Sequence, residues 1–361
     1  MWSIEANGRY SAFSAQQRLL FPVQDGADHT KKSLLRALQF GTSTGVAVLN
    51  PDDRGSLQLV RHALDTARTS FHLTQFAIAI STCPTWGPGV LSDRIHDIIG
   101  HLRVGKLTAL MLSRPDALAL GDFATSTSKR KRVVLEYWEA MCGVLERGLA
   151  EQIGVADFPI QEVEFLFTSF PRQPPTVMSV HLALASIRTV PGAASHRSFL
   201  AMLSFAHSRH MDCIVRFAYS SLDEIPVHVP LRDQWFQIVE RVAQHHRALE
   251  VNVPVVHEAE NEPYHMEKRD WDQTTALQTS QQIILRYFIQ KGCIVVPLPG
   301  SEDDGGGSFL DEDVHAIFYM LAHPFSSLPA NASPEVTYSS ILSTDILRLL
   351  DQVLPLMVIL S

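Results

Sequence analysis

Tyr137-Trp138-Glu139-Ala140-Met141, running on through Gly148 to Gln152-Ile153-Gly154-Val155-Ala156-Asp157-Phe158, joins a helical pattern over Val133–Arg147 to a short apolar run over Glu151–Asp157. A long amphipathic stretch leading into a brief apolar one is the signature of a parallel sheet with crossover helices. The alternation continues on both sides. Strands are predicted at Ala37–Ser43, Phe71–Ile80, Leu107–Ser113, Thr176–Leu182, Cys213–Tyr219 and Cys293–Pro299. Helices are predicted at Ser56–Thr69, Leu91–Val104, Ser198–His210, Arg232–Glu250, Thr275–Lys291 and Asp345–Val353. Together these make about eight βα units. Three segments interrupt the rhythm: residues 1–33, Asn252–Gln273 and Ser301–Asp313. They read as an N-terminal extension and two surface insertions. The apolar tail Val353–Leu360 is expected to pack on the barrel or on a partner.

Composition narrows the class. A chain of 361 residues and 40.2 kDa, 46% hydrophobic and 19% charged, can bury a large core. A net charge of −8 and a pI near 6.0 argue against a surface that tracks nucleic acid throughout. Cys83, Cys142, Cys213 and Cys293 lack the spacing of a zinc site or a disulfide scaffold, so a reducing compartment is expected. The cytoplasm is the first expectation. Mitochondria are the alternative, because Met1–Phe21 carries arginines and serines with little acid. No apolar run is long enough to span a bilayer.

The opening stretch is similar to the aldo-keto reductase segment that ends in I-G-V-S-N-F. Four further pieces follow the same family in order. Leu38-Gln39-Phe40-Gly41-Thr42 resembles its G-F-G-T strand, and Leu107 to Asp116 resembles L-D-L-Y-L-I-H-x-P-D. Phe217-Ala218-Tyr219-Ser220-Ser221-Leu222 resembles V-A-Y-S-P-L, and Gln282–Tyr287 with Ile294–Pro297 resembles Q-x-x-L-R-W…V-I-P-K-S. The match runs from about residue 35 to the C-terminus. It implies an α/β fold, a (β/α)8 TIM barrel of aldo-keto reductase type over residues 34–361, either complete or compressed by one βα unit. In such a barrel, chemistry sits at the C-terminal ends of the strands.

The family's chemistry uses a tyrosine as proton donor, tuned by a lysine and an aspartate, with a histidine orienting the carbonyl and NADPH giving hydride. A phenol with a pKa near ~10 needs such a neighbour to donate at neutral pH. The resemblance places Asp, Tyr and Lys upstream of the Leu107 strand, yet no Tyr occurs between Tyr10 and Tyr137 and no Lys between Lys32 and Lys106. If His72 aligns with the family's Asp, Ala77 takes the place of the Tyr; if Phe71–Ile80 is the lysine strand, it holds no lysine. The histidine position reads Ser113. The nicotinamide-holding S-N pair reads Ala156-Asp157, the N-Q pair reads Met178-Ser179, and of the cofactor contacts only Tyr219, the stacking ring, matches. The 2′-phosphate clamp reads Leu298, Pro299 and Asp304, beside Glu302 and Asp303, which would repel phosphate. No catalytic, cofactor-binding or metal residue is therefore assigned, and no cofactor is expected.

Other constellations have plainer readings. Lys129-Arg130-Lys131-Arg132 is expected in a loop before the Val133 helix, projecting from the functional face. A solvated loop is the first reading, and contact with an acidic partner or RNA the second. His207 and His210 have helical spacing, and His245-His246 are adjacent, but no third metal ligand is identifiable. Ser113, Ser220 and Ser221 lie in no G-x-S-x-G elbow, and Gly305-Gly306-Gly307 reads as a flexible acidic loop. Asn331-Ala332-Ser333 fits a glycosylation acceptor without a secretory signal. Within the superfamily, Asn50-Pro51-Asp52-Asp53-Arg54, Ser113 and Asp157 resemble the regulatory (modifier) subunits of glutamate-cysteine ligase. The chain is thus expected to be a pseudoenzyme that binds a larger catalytic subunit. A structural subunit of a mitochondrial or ribonucleoprotein assembly is the alternative, and an active reductase comes last.

Overall fold

Short strands, almost wholly buried, alternate with longer helices in a computed structural model that describes residues 13, 19–23, 34, 45–70, 76–114, 127–184, 199–218, 238–239, 241–242, 244, 280–298, 344–353 and 357–360. The strands are β1 (Leu20–Val23), β2 (Gly45–Val48), β3 (Ala77–Ser81), β4 (Leu107–Ser113), β5 (Ala150–Ala156), β6 (Val177–Leu184), β7 (Asp212–Ala218), β8 (Ile294–Leu298) and β9 (Met357–Leu360). The helices are α1 (Arg54–Ser70), α2 (Pro88–Leu102), α3 (Thr127–Glu146), α4 (Ile160–Ser169), α5 (Phe199–Ser208), α6 (Ser280–Gln290) and α7 (Thr344–Val353).

Strands β1 to β8 pair in parallel, each with the next in the chain, and a parallel bridge between Leu19 and Val295 brings β1 to β8. The result is a nearly closed (β/α)8 barrel. Its strands are apolar on both faces because both are covered. Outward residues such as Val46, Ile80, Leu110, Val155 and Val215 pack under the helices. Inward ones, among them Ala47, Ala79, Ala109, Met111, Ile214 and Val296, fill the centre together with Phe13. The helices bury one stripe each: α2 presents Leu91, Ile95, Ile98, Ile99 and Leu102 to the core and stops where Arg103 turns left-handed.

Several expectations change. Leu20–Val23 lies inside the segment set aside as an extension (1–33), yet it is the first barrel strand. With it, the barrel reaches eight parallel strands without compression. The second strand is Gly45–Val48; the predicted Ala37–Ser43 lies outside the described residues. So do the insertions 252–273 and 301–313, and most of the helix predicted at Arg232–Glu250. Helix α4 has no counterpart in the sequence reading. The apolar tail does pack on the barrel, where β9 runs antiparallel to the C-terminal half of β6. The basic run Lys129–Arg132 is not in a loop: α3 begins at Thr127, so the four cations occupy its first turns. There Arg132 meets Glu136 at 3.0 Å and the Lys131 ammonium lies 5.0 Å from the centre of the Phe165 ring, both offsetting the unfavourable placement near a helix start.

The Asn50–Arg54 motif has a local structural job. Asp53 caps α1: its Oδ1 accepts Gly55 N–H (3.1 Å), and its Oδ2 accepts Ser56 N–H (2.7 Å) and Ser56 Oγ–H (2.6 Å). These bonds, led by the Ser56 hydroxyl, hold the Asp53 carboxyl below the usual carboxylate range. A depressed carboxyl contributes stability above its unfolded value, and that contribution is lost as pH falls through the folded value. Asp53→Ala is accordingly expected to cost about 1 kcal/mol at neutral pH. In urea denaturation the gap from wild type should shrink in strong acid.

Candidate active site at the barrel mouth

In a parallel barrel the C-terminal strand ends share one rim, and here the polar groups collect on β4 to β7 of that rim. Cross-strand register sets Ser113, Ala156 and Ser179 side by side, and His181 beside Arg216. All belong to the inward-facing alternation. Asp157, just past β5, takes a left-handed conformation (φ 62°). That turn swings its carboxylate across the strand ends, where Oδ1 accepts the His181 backbone N–H at 3.1 Å. Its Oδ2 forms an ion pair with the Arg216 guanidinium. Both side chains are largely shielded, with 25% and 14% of the Asp157 and Arg216 side chains exposed, so the pair is held more firmly than a surface one.

Burial, and then the Arg216 cation, push the His181 imidazole below the ordinary histidine value, with Asp157 opposing. The shift favours the uncharged ring. Its Nε2, the Arg216 Nε and the Ser179 Oγ are buried without hydrogen-bond partners. On the other side of the rim, Ser113 N–H donates to Thr82 Oγ1 at 2.9 Å, and Arg114 stands 3.9 Å from Glu162. The charges named on the rim are paired with one another, Asp157 with Arg216 and Glu162 with Arg114.

Of the positions that the sequence reading singled out, Ser113, Asp157 and Ser179 do gather at the mouth. Tyr219, Ser220, Ser221, Pro299, Glu302–Asp304, Gly305–Gly307, Asn331 and His245-His246 lie outside the described residues. Ala77 opens β3, at the end of the barrel away from the mouth. That strand leads into Thr82 and Cys83 at the mouth. His207 lies in the last turn of α5 and His210 sits in the left-handed turn after it. Among the described residues no three His, Cys, Asp or Glu side chains cluster as metal ligands. The cysteines are free, and burial, then Glu146 and Glu139, push the Cys142 thiol up to about 11.

Sequence reasoning missed His181 and Arg216. The signal was present: Arg216 interrupts the apolar run Cys213-Ile214-Val215 at a position whose alternation points inward. It also missed a phenol, ammonium and carboxylate that do meet. Tyr287 O–H donates to Asp351 Oδ1 at 2.6 Å, and Lys291 Nζ donates to Asp351 Oδ2 at 2.6 Å. These residues lie in the outer layer, where α6 ends before β8 begins, at the end of the barrel opposite the mouth. Burial, then the bond to Asp351, raise the Tyr287 phenol far above its ordinary value, so its proton is locked in place.

No family model matches the sequence, and no curated protein is similar to it in sequence. Solved structures are similar in fold. An aldo/keto reductase from Brucella melitensis superposes with a TM-score of 0.56 over 93% of this chain and 94% of that one, at 13% identity. An aldo-keto reductase, MGS-M4, from a Medee basin deep-sea metagenome library gives 0.58 over 99% and 97%, at 11% identity. The aldose reductase of Schistosoma japonicum gives 0.52 over 92% and 87%, at 13% identity. The barrel is therefore of the aldo-keto reductase type. At these identities the likeness establishes the fold and does not extend to activity. Among the described residues no helix is long and apolar enough to cross a membrane.

Proposed function

We propose that this chain is a non-catalytic barrel of aldo-keto reductase type that serves as a regulatory binding subunit, and that its partner is the catalytic chain of a glutamate-cysteine ligase. The observation that carries the non-catalytic half is the pairing of Asp157 with Arg216 across the mouth. In the resembling family this position holds an asparagine amide, which both donates and accepts towards the nicotinamide carboxamide. A carboxylate only accepts, and this one is already occupied by a guanidinium and a backbone N–H. Seating a nicotinamide there would break a shielded ion pair and leave a buried charge without a partner. The residues present do not fit that group. The absence of Tyr and Lys from residues 33–105 supports the same reading. The ligase half rests on the resemblance at Asn50–Arg54, Ser113 and Asp157. Regulation would then be a coupling free energy between the subunit interface and the partner's substrate site.

Two measurements test this. Fluorescence titration with NADPH is expected to show no saturable binding; saturation accompanied by turnover of a carbonyl substrate would overturn the non-catalytic reading. Co-purification from native extract with mass spectrometry is expected to return a ligase catalytic chain whose substrate affinity changes when this protein is added back. Recovery of ribosomal or other multi-subunit partners instead would replace the ligase by the structural-subunit alternative.

A further inference from the structure

A groove of about 440 Å³ opens between α1 and α2 on the outer face, and one end of it reaches the loops that follow β2 and β3. Asp52, ahead of α1, ties it at one end by accepting the Trp86 indole N–H at 3.0 Å with both carboxylate oxygens. The helices supply the walls through single stripes: Arg54 and Leu57 from α1, and Arg94, Asp97, Ile98 and His101 from α2, three or four residues apart. Its floor is apolar, for Leu57, Ile98 and Trp86 are buried.

The charges are what give the groove a chemical identity. Among the described residues, the side chains of Arg54, Arg94 and Asp97 enter no ion pair or hydrogen bond, although all three line the same space. His101 adds a ring nitrogen, Nε2, that is buried without a hydrogen-bond partner. Two free guanidiniums, each a planar fork for a carboxylate, face one free carboxylate suited to an ammonium. Asp52 is committed to the indole. The complement of this set is a small molecule with two carboxylates and one ammonium, joined by a short aliphatic chain that the apolar floor covers. The volume is within the range of small-molecule sites, and well below what a folded partner needs.

We propose that the α1–α2 groove binds an amino dicarboxylate, its carboxylates on Arg54 and Arg94 and its ammonium on Asp97. This depends on no part of the subunit reading and survives or fails separately. The test is calorimetric titration of the full chain with L-glutamate, and with glutarate, which keeps both carboxylates and lacks the ammonium. L-Glutamate is expected to bind saturably, and glutarate about threefold more weakly. Arg54→Gln and Arg94→Gln are each expected to weaken glutamate by about tenfold while leaving thermal unfolding unchanged, since both side chains are exposed. Asp97→Asn should abolish the preference for glutamate over glutarate. Absence of saturation below about 50 mM, or equal affinity in both arginine variants, would overturn the assignment.

Discussion

Gly154→Ala is expected to destabilise the protein by about 3 kcal/mol, a large share of the stability of an ordinary domain. A methyl group at this position would run into the Val177 carbonyl oxygen and lie 2.7 Å from the Val177 Cβ. Neither neighbour can yield cheaply, because the strands are pinned on both sides of the contact. Thr176 N–H donates to Ile153 O at 2.9 Å, and Asp157 N–H donates to Ser179 O at 3.0 Å. Relief requires β5 and β6 to separate, which would also carry Asp157 away from His181 and Arg216. Gly143→Ala is the matched control: its added carbon meets only the Arg147 guanidinium, at 3.6 Å, within α3. There the same substitution should gain up to about 1 kcal/mol through helix propensity. Urea denaturation of the pair reads both signs, and a Gly154 variant as stable as wild type would mean that the strands do not approach this closely.

Trp138→Ala is expected to cost about 3–5 kcal/mol. The indole is fully buried and its Nε1–H donates to the Gln173 carbonyl at 3.0 Å, fastening the segment that precedes β6 to the helix that precedes β5. Trp138→Phe separates the two contributions. It keeps most of the apolar contact but strands the carbonyl, so about 1–2 kcal/mol is expected. If Phe proves as costly as Ala, packing shape matters more than the hydrogen bond. If Phe matches wild type, Gln173 has another donor.

Why some of this was legible and some was not follows from strand length and from where each signal sits. Leu107–Ser113 was read with its final boundaries because it is a seven-residue apolar run between polar flanks. The stretch from Tyr137 to Phe158 was equally clear: α3 ends at Glu146, Gly148 turns at φ 71°, and β5 follows. By contrast, Leu20–Val23 and Gly45–Val48 are four residues each and buried throughout. A run so short shows no period, and nothing local distinguishes it from the edge of a helix. At the site, Asp157 was noticed as a departure from a family pattern, whereas its partner was not. Arg216 is 59 positions further along, and only the adjacency of β6 and β7 with β5 brings the two together. His181 was hidden for the same reason, inside a largely apolar strand.

The bridge between Leu19 and Val295 bears on how the ring is made. Its two partners stand at the first and last of the eight parallel strands, so the seam closes the ring only once the strands between them are in place. Until then the nascent sheet carries two raw margins, at β1 and at β8, each able to zip onto a neighbouring molecule. Dilution and low temperature during refolding should therefore raise the yield of monomer more than they accelerate its appearance.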